Sequence, residues 1–313
     1  MTHRPFSLRV LDAIEAVRVR LWPEAFRPLT PLAFLLPALI LTGLLAAGLV
    51  PLLDASFRPL DPATFRLAES YAAKNYITLL TRPVYGWIAL RTFAGAVIVT
   101  VVTLILAFPY AWTMVRTRSA RLRRCLLSAL FLPFFIGQVV RAYGWLIVLG
   151  KQGLLNAVLA SLGLPPLSIL YTYGGVLLGL VQYMLPFAVL MLAPALTAIP
   201  KEIELASASL GATPAATFRH VVLPLARPGL VAAAVVVFTL TLTDFAMPEI
   251  MGGGSNKFVA SAVYDAFFQL ADPGLGGALA IALTLVGSLV VGTALAAFGL
   301  GTLGYVQERK EAS

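Results

Sequence analysis

The run TFAGAVIVTVVTLILAFPYAWTMV, residues 92–115, contains no Asp, Glu, Lys or Arg from end to end. About 20 apolar residues rising 1.5 Å each cover roughly 30 Å of hydrocarbon, so this run can cross a bilayer as one helix. Charge-free runs also extend over 28–53, 152–200 and 273–307. The 313-residue chain is 59% hydrophobic and 12% charged, about half the charged fraction of a soluble domain. Together these facts specify an all-α, polytopic membrane protein.

Outward from 92–115, apolar spans are expected at 31–53, 85–115, 125–149, 171–198, 230–248 and 275–305, six in all. They form a transmembrane domain over 28–305. A polar stretch at 54–83 is too long for a turn. The loop at 150–170 holds a short apolar helix that lies along the surface, and 249–274 is interrupted and Gly-rich. Residues 306–313 form a polar tail. Residues 1–27 mix Arg4, Arg9, Arg18, Arg20 and Arg27 with Leu8, Leu11, Val17, Leu21 and Trp22. An amphipathic helix on the inner membrane face and a basic tail without fixed structure both fit. Gly287, Gly292, Ala296 and Gly299 give the last span a seam of small residues suited to close helix packing.

An even number of spans puts both termini on one side. With RTRSARLRR (116–124) and the loop 200–228, that side holds about two thirds of the Lys and Arg, which makes it cytoplasmic. The net charge of +9 therefore reflects membrane topology, and nucleic acid is not an expected partner. A single cysteine, Cys125, excludes a disulfide framework and a CxxC metal site. His3 and His220 stand in no metal-spacing motif, and no GxxxxGK[ST] phosphate loop occurs. No catalytic residue, cofactor or metal is expected, so the chain is read as something other than an enzyme.

Within the loop lies EIELASASLGATPAATFRHVVLPLARPG, 202–229. Glu202 and Glu204 suit the positive end of a helix dipole. Ile203, Ala206 and Leu210 share one apolar face. Gly211 sits where a left-handed C-terminal cap is needed. Thr213 and Pro214 read as N-cap and first-turn proline of a second helix. Phe218, Val221 and Val222 form its apolar side, and Pro224 limits it. Such an elbow shows water an apolar face that its own loop cannot bury, the mark of a partner surface.

This elbow resembles the EAA loop of permease subunits of bacterial ATP-binding-cassette importers. Gly211, Val221, Leu223 and Pro224 match the family's Gly and Ile-x-Leu-Pro in register, while its E-A-A triplet falls on Leu205, Ala206 and Ser207. The family glutamate is thus a leucine here, with Glu204 one residue earlier as its substitute. LPFFIGQVVRAYGWLIVLGKQGLLNAVLASLGL (132–164) and TDFAMPEIMGG (243–253) are similar to spermidine/putrescine-type permeases. The resemblance runs from the first span onward. It implies a multi-pass protein of the bacterial inner membrane that forms half of a pathway for a small polar, polyamine-like solute. The implied partners are a cytoplasmic ATPase dimer, a second homologous permease and a periplasmic substrate-binding protein, with lipid around the spans. The coupling surface would then comprise Glu202, Glu204, Ala206, Leu210, Gly211, Phe218, Val221, Leu223 and Pro224.

Acids inside spans are costly and are functional candidates by default. Asp244 is the clearest, followed by Glu249, with Phe245 between them. Asp244 either lines a pathway or pairs with Arg141, and the two roles are compatible. Arg141 and Tyr143 cluster in the outer half of the third span, and Tyr183 lies inside the fourth. Asp244 and Glu249 suit a cationic solute, whereas Arg91 and Arg141 suit an anion. A stand-alone secondary transporter or channel is the competing reading, but such proteins show paired internal repeats, and none is legible.

Overall fold

The computed structural model describes residues 30–298. The segment 1–27, the tail 306–313 and the last residues of the sixth span lie outside them. The chain divides into two units after Asp54. In the first, α1 (Thr30–Ser56) carries Pro37 and Pro51 within an otherwise unbroken apolar helix.

The second unit opens with a minimal hairpin, β1 (Leu60–Asp61) against β2 (Arg66–Leu67), registered Leu60 to Leu67. The Asp61 carboxylate accepts the Ala63 N–H and the Thr64 hydroxyl inside the turn. Helix α2 (Lys74–Thr81) leads into α3 (Pro83–Arg116), which starts on a proline and continues past Pro109 without a break. Ser119 caps α4 (Ala120–Phe131) by accepting the Leu122 N–H. A 3₁₀ turn over Leu132–Phe135 and a kink at Gly137 precede α5 (Gln138–Leu149) and α6 (Leu154–Ser161). Helix α7 (Tyr173–Thr197) is capped by the Thr172 side chain.

The elbow consists of α8 (Lys201–Ser209), α9 (Pro214–Thr217), a π turn over Phe218–Val222 and the single turn α10 (Leu223–Leu225). It bends by 68° into α11 (Arg227–Leu242). Beyond lie α12 (Ala246–Gly252), α13 (Val259–Tyr264) and α14 (Pro273–Phe298).

Helices α3, α7 and α11 pack on one another as the centre of this unit. Val99, Phe108, Leu180, Met184, Leu192 and Val237 are buried between them. Where α11 crosses the end of α7, a Cβ on Gly229 would stand 2.3 Å from the Ala195 Cβ. Only glycine permits that approach.

Among the described residues five helices are long and apolar enough to cross a membrane, and six if Pro214–Leu225 and Arg227–Leu242, bent by 68°, count as one span; six were expected. Two spans are corrected. The segment 125–149 is not one helix: Pro133 removes an N–H and clashes with the preceding turn, and the chain restarts at Gln138. The membrane-length stretch is instead Gln138–Ser161, which takes in the short helix expected to lie on the surface. The fifth helix stops at Leu242 rather than 248, because the Asp244 carboxylate takes the Met247 N–H and starts α12 instead. In the last span Gly287 is met by Leu242, whereas Gly292 faces open space, so only part of the expected small-residue seam packs within this unit.

Candidate functional site

Two places in the second unit interrupt a helix, and between them they hold nearly every candidate residue. The first is the elbow. Gly211 has φ +86° and open space around its missing Cβ. It therefore serves backbone conformation alone. The Gly211 and Ala212 N–H groups bond back to the Ala208 and Ser207 carbonyls, closing α8. Thr213 then accepts the Ala216 N–H and opens α9. A Ser207–Thr217 hydroxyl bond of 3.0 Å ties the two arms together.

Side chains on this elbow divide into two sets. Leu205 is 66% and Leu210 90% exposed, and Ile203, Ala206 and Glu202 also face outward. Phe218 is 40% exposed, yet one side of its ring meets Phe108 of α3 edge-on, ring centres 5.2 Å apart. Val222 is buried, Val221 and Leu223 are half-buried, and Pro224 is exposed. Of the expected coupling residues, Phe218, Val221 and Leu223 thus anchor the elbow, while Glu202, Ala206 and Leu210 present a surface. Glu204 belongs with the anchors: its carboxylate lies 2.6 Å from the Arg116 guanidinium.

The second place is the junction of the two broken spans. Leu132–Phe135 and the start of α5 face Tyr183 and Phe187 of α7, with Phe134 5.2 Å from Phe187 and Tyr183 5.6 Å from it. Tyr183 lies about 15 Å along α7 from Tyr173 and about 21 Å from Thr197, so the break falls near the middle of the span. Irregular backbone at that depth is tolerated only where protein or a polar cavity satisfies it. Here Arg141 does so: its guanidinium donates to the Pro133 carbonyl and, at 3.3 Å, to the Ile136 carbonyl. It also stacks over the Tyr183 ring at 5.2 Å.

Arg141 does not pair with Asp244. Asp244, 8% exposed, accepts the Gln138 side-chain amide and the Met247 N–H at 3.0 Å. One carboxylate thus joins the first residue of α5 to the first turn of α12. A cleft of about 110 Å³ opens at its partner Gln138, lined also by Phe134, Arg141, Tyr183, Pro186 and Phe187; Asp244 itself stands behind that lining. The cleft volume is the share of three or four waters in the liquid.

Other candidates sit around this junction. Glu249 follows on α12 with a buried, unpartnered Oε2. Phe245 stacks on Tyr264, centres 4.9 Å apart. Tyr143 is 56% exposed on the far side of α5 and does not reach the cleft. Arg91 donates instead to the Ser255 carbonyl. Two residues matter more than their sequence signals suggested. Gln138 is an uncharged amide in a largely apolar run, and Arg116 looks in sequence like the arginines after it. Among the described residues no group of three metal-ligating side chains forms.

The geometry can be set beside known proteins. Residues 84–299 match the family described as binding-protein-dependent transport system inner membrane component. The inner membrane ABC transporter permease protein YdcU of Escherichia coli (strain K12) is 37% identical over 244 residues, covering 74% of this chain and 77% of that protein. The spermidine/putrescine transport system permease protein PotB of the same strain is 31% identical over 242 residues, 77% of this chain and 87% of that one. A chain of a bacterial alginate ABC transporter, crystallised with its alginate-bound periplasmic protein, shares the fold at a TM-score of 0.70. It is 18% identical and covers 90% of this chain and 98% of its own.

Proposed function

The chain belongs to the family of binding-protein-dependent transport system inner membrane components, and on that premise we propose that it moves a polyamine-like organic cation. It is a multi-pass inner-membrane permease of an ABC importer, a transport subunit and not an enzyme. In the proposed assembly it supplies half of the pathway and pairs with a second permease. A periplasmic binding protein delivers the solute, and a separate cytoplasmic ATPase dimer docks on the elbow. Both termini and the elbow face the cytoplasm, on the side rich in arginine.

The observation that carries the cargo assignment is Asp244. It is buried where two broken spans meet, and no Lys or Arg among the described residues pairs with it. Arg141, by contrast, is occupied by two carbonyls and an aromatic face. A carboxylate held by neutral donors, one of which (Gln138) lines the cleft with Phe134, Tyr183 and Phe187, gives an ammonium group there a nearby counter-charge and aromatic faces. The name of the similar PotB protein points to the same class of solute. For coupling, the support is the exposed Leu205 and Leu210 held on a glycine-hinged elbow. Closure of the ATPase dimer would draw that elbow inward and rock the spans between inward- and outward-open states.

The test is uptake of labelled spermidine by liposomes containing the assembled transporter. Asp244→Asn keeps the acceptor for Met247 and is expected to lower uptake about tenfold with the ATPase still bound. Uptake of an oxyanion but not of spermidine would overturn the cargo assignment. Normal uptake with Gly211→Asp would overturn the coupling assignment.

A further inference from the structure

The arginine run 116–124 looks uniform in sequence, yet its members do different things. Arg118, Arg121, Arg123 and Arg124 are all exposed. The two with bonds bond locally, Arg123 to the Thr117 carbonyl and Arg124 to the Ala120 carbonyl. That is the behaviour of charges serving topology alone. Arg116 is turned inward, with 14% of its side chain exposed. Its Nη2 donates at 2.8 Å to the carbonyl of Ile199, just past the end of α7. The same nitrogen stands 2.6 Å from the Glu204 carboxylate in the first turn of α8. The guanidinium also lies 5.1 Å over the Trp112 ring of its own helix. One planar group thus touches α3, the end of α7 and α8.

Each contact has a reason to be firm. A cation suits the negative end of α3, and the Ile199 carbonyl belongs to the set a helix end leaves without intrahelical partners. The Glu204 side chain is 22% exposed, so removing either partner leaves a charge poorly solvated. Glu202, on the same helix, stays in water. The carboxylate one residue ahead of the exposed Leu205 is therefore engaged within the chain rather than offered to a partner.

We infer that Arg116 is a positioning residue for energy coupling, the post through which displacement of α8 is delivered to α3 and α7. This rests on the importer reading above. Helices α3 and α7 form the most extensive packed pair of the unit, and α7 carries Tyr183 into the cleft. A push on the elbow therefore reaches the pathway through one ion pair and one rigid helix pair. Besides this post, α8 is tied to the rest of the unit by the chain at Pro200 and by the Ser207–Thr217 bond to the arm that carries Phe218 against Phe108.

The experiment uses the complete transporter in liposomes and reads labelled spermidine moved per ATP hydrolysed, with the amount of ATPase that co-purifies. For Arg116→Gln the ATPase is expected in its usual ratio to the permease, while solute moved per ATP falls on the order of tenfold. Exchange of the pair, Arg116→Glu with Glu204→Arg, should restore part of that ratio, which a merely structural arginine would not allow. Arg116→Lys keeps the charge without the planar fork and should lie between. It decides the matter if Arg116→Gln does not assemble. An unchanged ratio in both Arg116→Gln and Arg116→Lys overturns the inference, as does loss of the ATPase from an otherwise intact Arg116→Lys permease. If the unaltered chain assembles with no ATPase, the importer reading falls first and this inference with it.

Discussion

The elbow and the mid-span junction interrupt helices in opposite ways. At the elbow the turn between the two arms closes on itself: the Gly211 and Ala212 N–H groups bond back to α8, and Thr213 caps α9. At the junction the partners are side chains from elsewhere. Arg141 reaches the Pro133 and Ile136 carbonyls across the break, and Gln138 meets Asp244 across 106 residues of sequence. Water explains the difference. An exposed elbow can rely on solvent and turn chemistry, whereas lipid offers the junction nothing, so protein must supply every partner. The elbow can consequently be altered with local effect, while a change at the junction strains two spans together.

The largest test of that contrast is Arg141→Met. It keeps an apolar stem but leaves two carbonyls near the middle of the membrane without their donor, at about 1–3 kcal/mol each. A drop of about 3 kcal/mol in unfolding free energy in detergent is expected, and parental stability would break the comparison. Asp244→Leu comes next: loss of the α12 cap and of the Gln138 partner should cost about 2 kcal/mol. Asp244→Asn, with its acceptor intact, should cost well under half of that in the same denaturation series.

At the elbow, Gly211→Val forces a β-branched residue into the left-handed region. With no neighbour near the added Cβ, the effect is conformational strain of about 1–2 kcal/mol. Gly211→Asn should lose less, since asparagine tolerates that region. The smallest effect on stability belongs to Leu210→Ser, within about 0.5 kcal/mol because the side chain is 90% exposed. Its consequence should appear only as weaker retention of the ATPase on purification, which sharpens the division between anchor and docking residues.

Legibility follows the same line. Thr213, Pro214 and Gly211 could be assigned from sequence because capping and left-handed turns act over three or four residues. The exposure of Leu210 followed from the shortness of the loop. The break at Pro133 and Gly137 had a local signal too, but the long apolar run around it outweighed that signal. Asp244 was recognisable as an acid inside a span, yet the one partner that charge suggested for it was Arg141, and an amide and a backbone N–H hold it instead. Phe218 carried an apolar signal that serves a docking face and an anchor equally well, and only the ring of Phe108 decides for the anchor.

What the amino-acid sequence determined by itself was the solvent and the frame. Charge-free runs longer than a bilayer's hydrocarbon demand helical spans, and turn residues at 211–214 make an elbow. Tertiary structure alone decided which of five arginines becomes a mechanical link, and which polar groups complete two broken spans. Those choices depend on which side chains helices bring together across long stretches of chain. Periodicity and capping act within a few turns and carry no record of such meetings.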